Sequence, residues 1–183
     1  MQPDDTTLLM AIRNMDKDAL ATVFDCYAPI LYKYAFRLCG NPDEADGIVG
    51  DVFSELLDHL KRGKGPRENL RSYLFQIAYH KIVDNARERQ RTTPLDTVGS
   101  VNSGESINLS QEEREQLTTL DAIIKKLLTP NQCHVILLRF IEDFSLKETA
   151  EITGKSVNNI KVIQNRAIGR LREVMGLDLK EEL

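Results

Sequence analysis

Residues 145–160 place a small residue, a glycine and an apolar residue at intervals that allow very few folds. Ser145-Leu-Lys-Glu148 is a capping box that opens a helix. Ala150 keeps a crossing point narrow, and Gly154 permits the positive φ of a tight turn. Ile160 lies six residues on, where an apolar side chain locks a second helix against the first. This is the spacing of a helix-turn-helix. It fits equally an αα-hairpin that only packs and a pair of helices that reads DNA, and spacing alone does not choose between them.

The second helix, from Val157 toward Met175, has Ile160, Ile163, Ala167, Leu171 and Val174 on one apolar face. Its opening residues Val157, Asn158, Asn159, Lys161 and Val162 are left outward. Asn can pair with adenine edges, and Lys or Ser can hold phosphate or guanine, so this face suits a major groove. The stretch from Thr153 to Arg172 carries Lys155, Lys161, Arg166, Arg170 and Arg172 and no acid. The capping box and this acid-free basic run favour DNA. The candidate contacts are Lys155, Ser156, Asn158, Asn159, Lys161, Val162, Asn165 and Arg166.

Net charge at first sight opposes that reading, with 24 Lys+Arg against 28 Asp+Glu and a formal charge of -4. Distribution matters more than the total. Residues 1–60 have a net of -7, residues 61–91 of +6, residues 92–124 of -5 and residues 125–183 of +2. Two basic stretches alternate with two acidic ones. A single basic run reads as a solvated helix face; two, each beside a motif, point to phosphate contacts.

The remainder is helical in pattern, and no strand-like alternation competes. Leu20, Val23, Phe24, Tyr27, Leu31, Tyr34, Ala35 and Leu38 follow helical spacing, with Pro29 inside as an expected kink. Asn41-Pro42 caps a second helix with Asp43 and Glu44 in its first turn, and Ile48, Val49, Val52, Phe53, Leu56, Leu57 and Leu60 form its face. Gly63-Lys64-Gly65-Pro66 ends it. A third helix presents Leu70, Tyr73, Leu74, Ile77, Ala78 and Ile82. From Thr92 to Ser110, 12 of 19 residues are Ser, Thr, Gly, Asn or Pro without apolar period, which predicts a flexible linker. Ser110-Gln-Glu-Glu113 then opens a helix with Leu117, Leu120, Ile124, Leu127 and Leu128 on one face. Thr129-Pro130-Asn131-Gln132 caps another that buries Cys133, Ile136, Leu137 and Phe140. The fold class is all-α: two small helical domains, each marginal alone, joined by a flexible linker, the C-terminal one a helix-turn-helix. The expected bounds are 1–91, a linker at 92–112, 113–176 and a tail at 177–183.

Other function classes fare poorly. No apolar run approaches the ~20 residues of a membrane span, and the acidic start Met1-Gln2-Pro3-Asp4-Asp5 is unlike a secretion signal. Cys26, Cys39 and Cys133 are odd in number and set among apolar residues, as expected of buried, reduced thiols in a cytoplasm. His59, His80 and His134 stand alone, without metal-ligand spacing or a phosphate loop. Asp84 with Arg87 reads as a helix-face ion pair rather than an acid–base device. No catalytic residue, metal, cofactor or small-molecule substrate is expected.

On these motifs the whole chain, over about residues 8–175, resembles the extracytoplasmic-function sigma factors, the minimal two-domain branch of the sigma-70 family. The matching residues are Tyr27-Ala-Pro29-Ile-Leu31-Tyr32, Asp43-Glu-Ala45 through Asp51-Val52-Phe53, Tyr73-Leu74-Phe75-Gln-Ile77-Ala78 through Asp84 and Arg87, and Glu148 through Gly154 with Ser156, Lys161, Arg166-Ala167 and Leu171-Arg172. The resemblance implies that the Asp46–Leu60 helix docks on RNA polymerase core through Asp46, Asp51, Phe53 and Glu55. Lys61, Arg62, Lys64, Arg67, Arg71, Tyr79, His80, Arg87, Arg89 and Arg91 would then melt and hold the -10 element, with Tyr73, Phe75 and Tyr79 as candidate base-stacking rings, of which Tyr73 better suits the core. The second domain would read the -35 element. Promoter DNA, RNA polymerase core and an anti-sigma factor are the implied partners. Departures from the family pattern are Gly47 and Gly50 on the docking helix, Leu57 and Tyr73 at frequent Trp positions, His80 where Asn is common, and Thr149 and Thr153 at apolar positions. The rival reading is a helix-turn-helix regulator that acts without stable polymerase binding.

Overall fold

The computed structural model describes residues 5–92 and 124–175, and every regular element in them is helical. The chain divides into two compact units, Met1–Ser110 and Gln111–Leu183. The expected linker lies outside the described residues except for Thr92, which closes a helix. The capping box at 110–113, with Leu117 and Leu120, and the tail at 177–183 also lie outside them.

The first unit contains α1 (Asp5–Arg13), α2 (Lys17–Cys39), α3 (Pro42–Lys61) and α4 (Leu70–Thr92). α2, α3 and α4 pack on one another, and α1 packs on α2. Each start has a local cause. Asp16 Oδ1 accepts from Ala19 N–H at 2.8 Å, Asn41 Oδ1 from Glu44 N–H at 3.1 Å, and Asn69 Oδ1 from Ser72 N–H at 3.0 Å. Pro42 occupies the opening turn of α3, and Gly40 ends α2 at φ 74°, a left-handed cap that frees the chain to reverse. α2 continues through Pro29 as one helix. Tyr34 of α2 and Phe75 of α4, both fully buried, meet at 5.1 Å between ring centroids and join the two helices.

Two expectations fail in this unit. Phe24 is 45% exposed rather than in the core, and its ring lies 4.8 Å from that of half-buried Phe53 at the surface between α2 and α3. Cys26 is exposed and Cys39 half-buried, so only Cys133 is the buried thiol expected. Val23, Tyr27, Leu31 and Tyr34 already fill the inward stripe of α2. Residues 24–26 fall on the other side.

In the second unit a helical turn at 124–127 precedes α5 (Pro130–Ile136), which passes into a π-helical turn at Leu137–Ile141. Then follow α6 (Leu146–Thr153) and α7 (Val157–Met175). Both predicted capping boxes form: Thr129 with Gln132, and Ser145 with Glu148. Gly154 ends α6 at φ 66°, as a tight turn requires. Val135, Ala150 and Ile160 form the buried cluster where α5, α6 and α7 meet, flanked by Leu146 and Ile163. Thr149 and Thr153 are buried at apolar positions because their hydroxyls donate back to Ser145 O (2.9 Å) and Thr149 O (2.8 Å).

Phe140 was expected in this core but is 53% exposed, as is Ile141 at 45%. A π turn takes one more residue than an α turn, which sets later side chains back by about 100°. Continuing the α5 stripe straight through therefore misplaces Phe140. Val174 is also exposed rather than buried, at 60%, in the final turn of α7.

Candidate nucleic-acid interface

The sequence proposed two cation-bearing surfaces, and each lies within one unit. The face of α7 expected to point outward is exposed. Ser156, Val157, Asn158, Asn159, Lys161, Val162, Asn165 and Arg166 are all exposed, while Ile160 among them and Ala167 just after them are fully buried. Burial at 160 and 167 fixes one face of the helix, so the residues at 158, 161, 162 and 165 share the opposite one. Ser156 Oγ caps α7 by accepting from Asn159 N–H at 3.2 Å, which leaves its hydroxyl proton free to donate. Glu173 is the first acid along α7.

Two of the basic residues do other work. Lys155 is half-buried, and its charge acts on His134. That imidazole is pushed down to about 3, chiefly by burial and then by Lys155, so it is neutral in the folded domain. Arg170 Nη1 donates to Leu127 O at 3.5 Å, bracing the far half of α7 against the turn before α5.

The first unit's surface runs from the end of α3 along α4. Lys61, Arg62, Lys64 and Arg67 are exposed around the turn at Gly63, and His80, Arg87, Arg89 and Arg91 are exposed on α4. Arg71 is half-buried with its guanidinium 5.4 Å from the Phe75 ring centroid. The aromatic assignment is reversed. Tyr79 is 5% exposed and Phe75 is fully buried, so both are core rings, whereas Tyr73 is half-buried. Residues 75, 78, 79 and 82 recur at helical spacing on the inward stripe. His80, edge-on to Tyr79 at 5.4 Å, is the exposed ring that remains on α4.

Three cations of α4 are paired with acids, two of which come from α3. Lys81 Nζ lies 2.9 Å from Glu55 Oε2, and Arg89 Nη1 lies 2.5 Å from Glu44 Oε2 across 45 positions of sequence. Arg87 pairs with Asp84 at 3.4 Å, the ion pair expected from the sequence. The Glu55 hydrogen bond raises the Lys81 pKa, keeping the ammonium charged. Tyr73 is also raised, by burial and then by Glu55, and its hydroxyl shares a hydrogen bond with His59 Nδ1.

On α3, Asp51 is exposed, Asp46 and Phe53 are half-buried, and Glu55 is engaged by Lys81. Beside Phe53 the structure adds Phe24, which α2 periodicity had placed inside. Gly47 and Gly50 are exposed, and a Cβ at either position would meet nothing within 4 Å. Among the described residues no group of His, Cys, Asp and Glu is arranged to hold a metal ion, and no helix is long and apolar enough to cross a membrane.

These two surfaces coincide with two known domains. Residues 23–92 match the family model for Sigma-70 region 2, and residues 126–173 match that for Sigma-70, region 4. The chain is 32% identical over 188 residues to the ECF RNA polymerase sigma factor ShbA of Streptomyces griseus, covering 94% of this chain and 97% of that one. The chain belongs to the extracytoplasmic-function sigma factors. The RNA polymerase sigma factor SigV of Bacillus subtilis is 26% identical over 89% of this chain and 95% of its own. In fold, this sigma factor is similar to CnrH, solved in complex with the cytosolic domain of CnrY, at a TM-score of 0.70, 20% identity and coverage of 95% and 98%. It is also similar to RpoE of Bartonella quintana, solved with the anti-sigma factor NepR, at 0.64, 21%, 86% and 97%.

Proposed function

We propose that this sigma factor engages RNA polymerase core through the exposed side of α3, using Asp46, Asp51 and the Phe24–Phe53 pair, and reads promoters at two places. The exposed cations from Lys61 to Arg91 hold the opened -10 strand by its phosphates, with His80 as the exposed ring beside the bases. α7 enters the major groove at the -35 element, where Asn158, Asn159, Asn165 and Val162 meet base edges and Ser156, Lys161 and Arg166 hold phosphate or guanine. The observation that carries this reading is the acid-free outward face of α7, set by the burial of Ile160 and Ala167. The expected domains, 1–91 and 113–176, suit two reading heads on one polymerase. The protein breaks no bond; it lends sequence specificity and stabilises opened DNA, inside the cytoplasm where polymerase works. An anti-sigma factor is the expected regulator, as CnrH and RpoE were each solved in complex with a second protein.

Transcription in vitro tests the whole reading. Core polymerase with this chain should initiate at promoters that neither uses alone, mapped first from start sites after overexpression in the host. Core that fails to retain the chain, with duplex DNA still bound, would transfer the assignment to a free helix-turn-helix regulator.

A further inference from the structure

α7 is seated mainly by apolar contacts, which resist lifting but carry little angular information because the hydrophobic effect is non-directional. A roll of ~20° would carry side-chain tips, about 5–6 Å from the axis, through roughly 2 Å. Hydrogen bonds tolerate only about 0.5 Å in length. Reading base edges therefore needs a directional restraint on the roll of α7, and one polar contact from outside the helix supplies it at mid-length.

Arg139 Nε donates to Gln164 Oε1 at 3.0 Å, and Arg139 Nη1 donates to the carbonyl of Phe144. Gln164 is half-buried and immediately precedes the exposed pair Asn165 and Arg166. Phe144, 2% exposed, precedes the Ser145 cap of α6 and follows Asp143, which sits at φ 54°. One planar guanidinium thus spans the π turn, the bent loop before α6 and the middle of α7. The fork geometry of arginine fixes direction as well as distance. The π turn accounts for the delivery: the phase shift that turns Phe140 outward accompanies an Arg139 side chain turned toward α7.

We propose that Arg139 is a positioning residue for promoter reading, fixing the roll of α7 through Gln164 while pinning the loop that opens α6. The proposal rests on the assignment of α7 as the -35 reader. Arg139 sharpens the difference between right and wrong sequences rather than adding affinity for all of them.

The test uses holoenzyme assembled from core polymerase and the full chain, on a promoter with a mapped start and on the same promoter with its -35 element scrambled. Arg139→Gln and Gln164→Leu should each lower the ratio of initiation between the two templates on the order of tenfold, about one base-pair contact's worth of discrimination. Retention of the chain on core, and the response to a scrambled -10 element, should stay at wild-type values. The pair Arg139→Lys with Gln164→Glu should restore part of the ratio, because a carboxylate can bond the shorter cation. If Arg139→Gln unfolds the domain, Gln164→Leu still decides, since Gln164 lies outside the buried core of α7. A wild-type ratio in Gln164→Leu overturns the proposal. So does an equal loss on both templates with a salt slope reduced by about one, the mark of a direct phosphate contact. Failure of the wild-type chain to initiate with core would instead remove the sigma reading itself.

Discussion

Acid should dissolve the second domain before the first, and His134 is the reason. Its side chain is 4% exposed on α5, and its pKa is pushed down from the ordinary 6.5 to about 3 by burial and by the charge of Lys155. The folded domain therefore refuses a proton that the unfolded chain accepts. The stabilisation is fully present above the unfolded pKa of 6.5 and is lost as pH falls from there toward 3. Each unit below 6.5 removes about 1.4 kcal/mol, so roughly 2 kcal/mol has gone at pH 5, a large fraction of what a domain this small holds. Urea unfolding of the full chain at pH 7 and pH 5 measures this. All 5 tyrosines, at 27, 32, 34, 73 and 79, belong to the first unit, so tyrosine fluorescence follows that unit alone. Peptide-level hydrogen exchange across residues 130–141, corrected for intrinsic rates, follows the second. The exchange-derived stability should fall by about 2 kcal/mol between the two pH values, and His134→Gln should flatten that dependence whatever it does to the absolute value. An unchanged slope in the variant, or a flat wild-type profile, would refute the reasoning.

Gly47→Ala and Gly50→Ala should each raise the thermal stability of the first domain by about 0.5–1 kcal/mol, since a Cβ meets nothing at either position; a lowered midpoint by circular dichroism would contradict this. Gly154→Ala forces a side chain into φ 66° and should cost the second domain about 1–2 kcal/mol, read from the same melts. Glu55→Gln releases Lys81 from its ion pair, so affinity for single-stranded DNA should rise at low salt and the log–log salt slope should steepen by roughly 0.7. An unchanged slope in fluorescence anisotropy would mean that Lys81 does not reach phosphate.

Local chemistry made much of this fold legible. The Asn41-Pro42 cap, the Thr129 and Ser145 capping boxes and the left-handed Gly154 each depend on residues within a few positions, and each stands where the sequence put it. The outward face of α7 was legible for the same reason, since helical period assigns Asn158, Lys161, Val162 and Asn165 to one side. Phe140 was not, because nothing in its immediate neighbours announces a π turn, and one added residue per turn changes what points inward. Tyr79 and Phe75 were misassigned because an aromatic in a basic run fits either a base or a core, and only the tertiary packing that buries Tyr79 and sets Phe75 on Tyr34 decides. The Glu44–Arg89 and Arg139–Gln164 contacts bridge 45 and 25 positions. Pairs so far apart depend on tertiary geometry that no local pattern encodes.

Only Gly40 and Asn41 separate α2 from α3. Closing so short a loop costs little chain entropy, whereas α4 must close a longer one before it can bury Phe75 against Tyr34. The α2–α3 hairpin, complete before α4 leaves the ribosome, is therefore the natural nucleus of the first domain. Refolding rates of alanine variants carry the signature: a φ-value high at Ile48 and low at Ile82. The helix assigned to polymerase is then built into the earliest structured part of the chain, and the helix assigned to DNA is added to it.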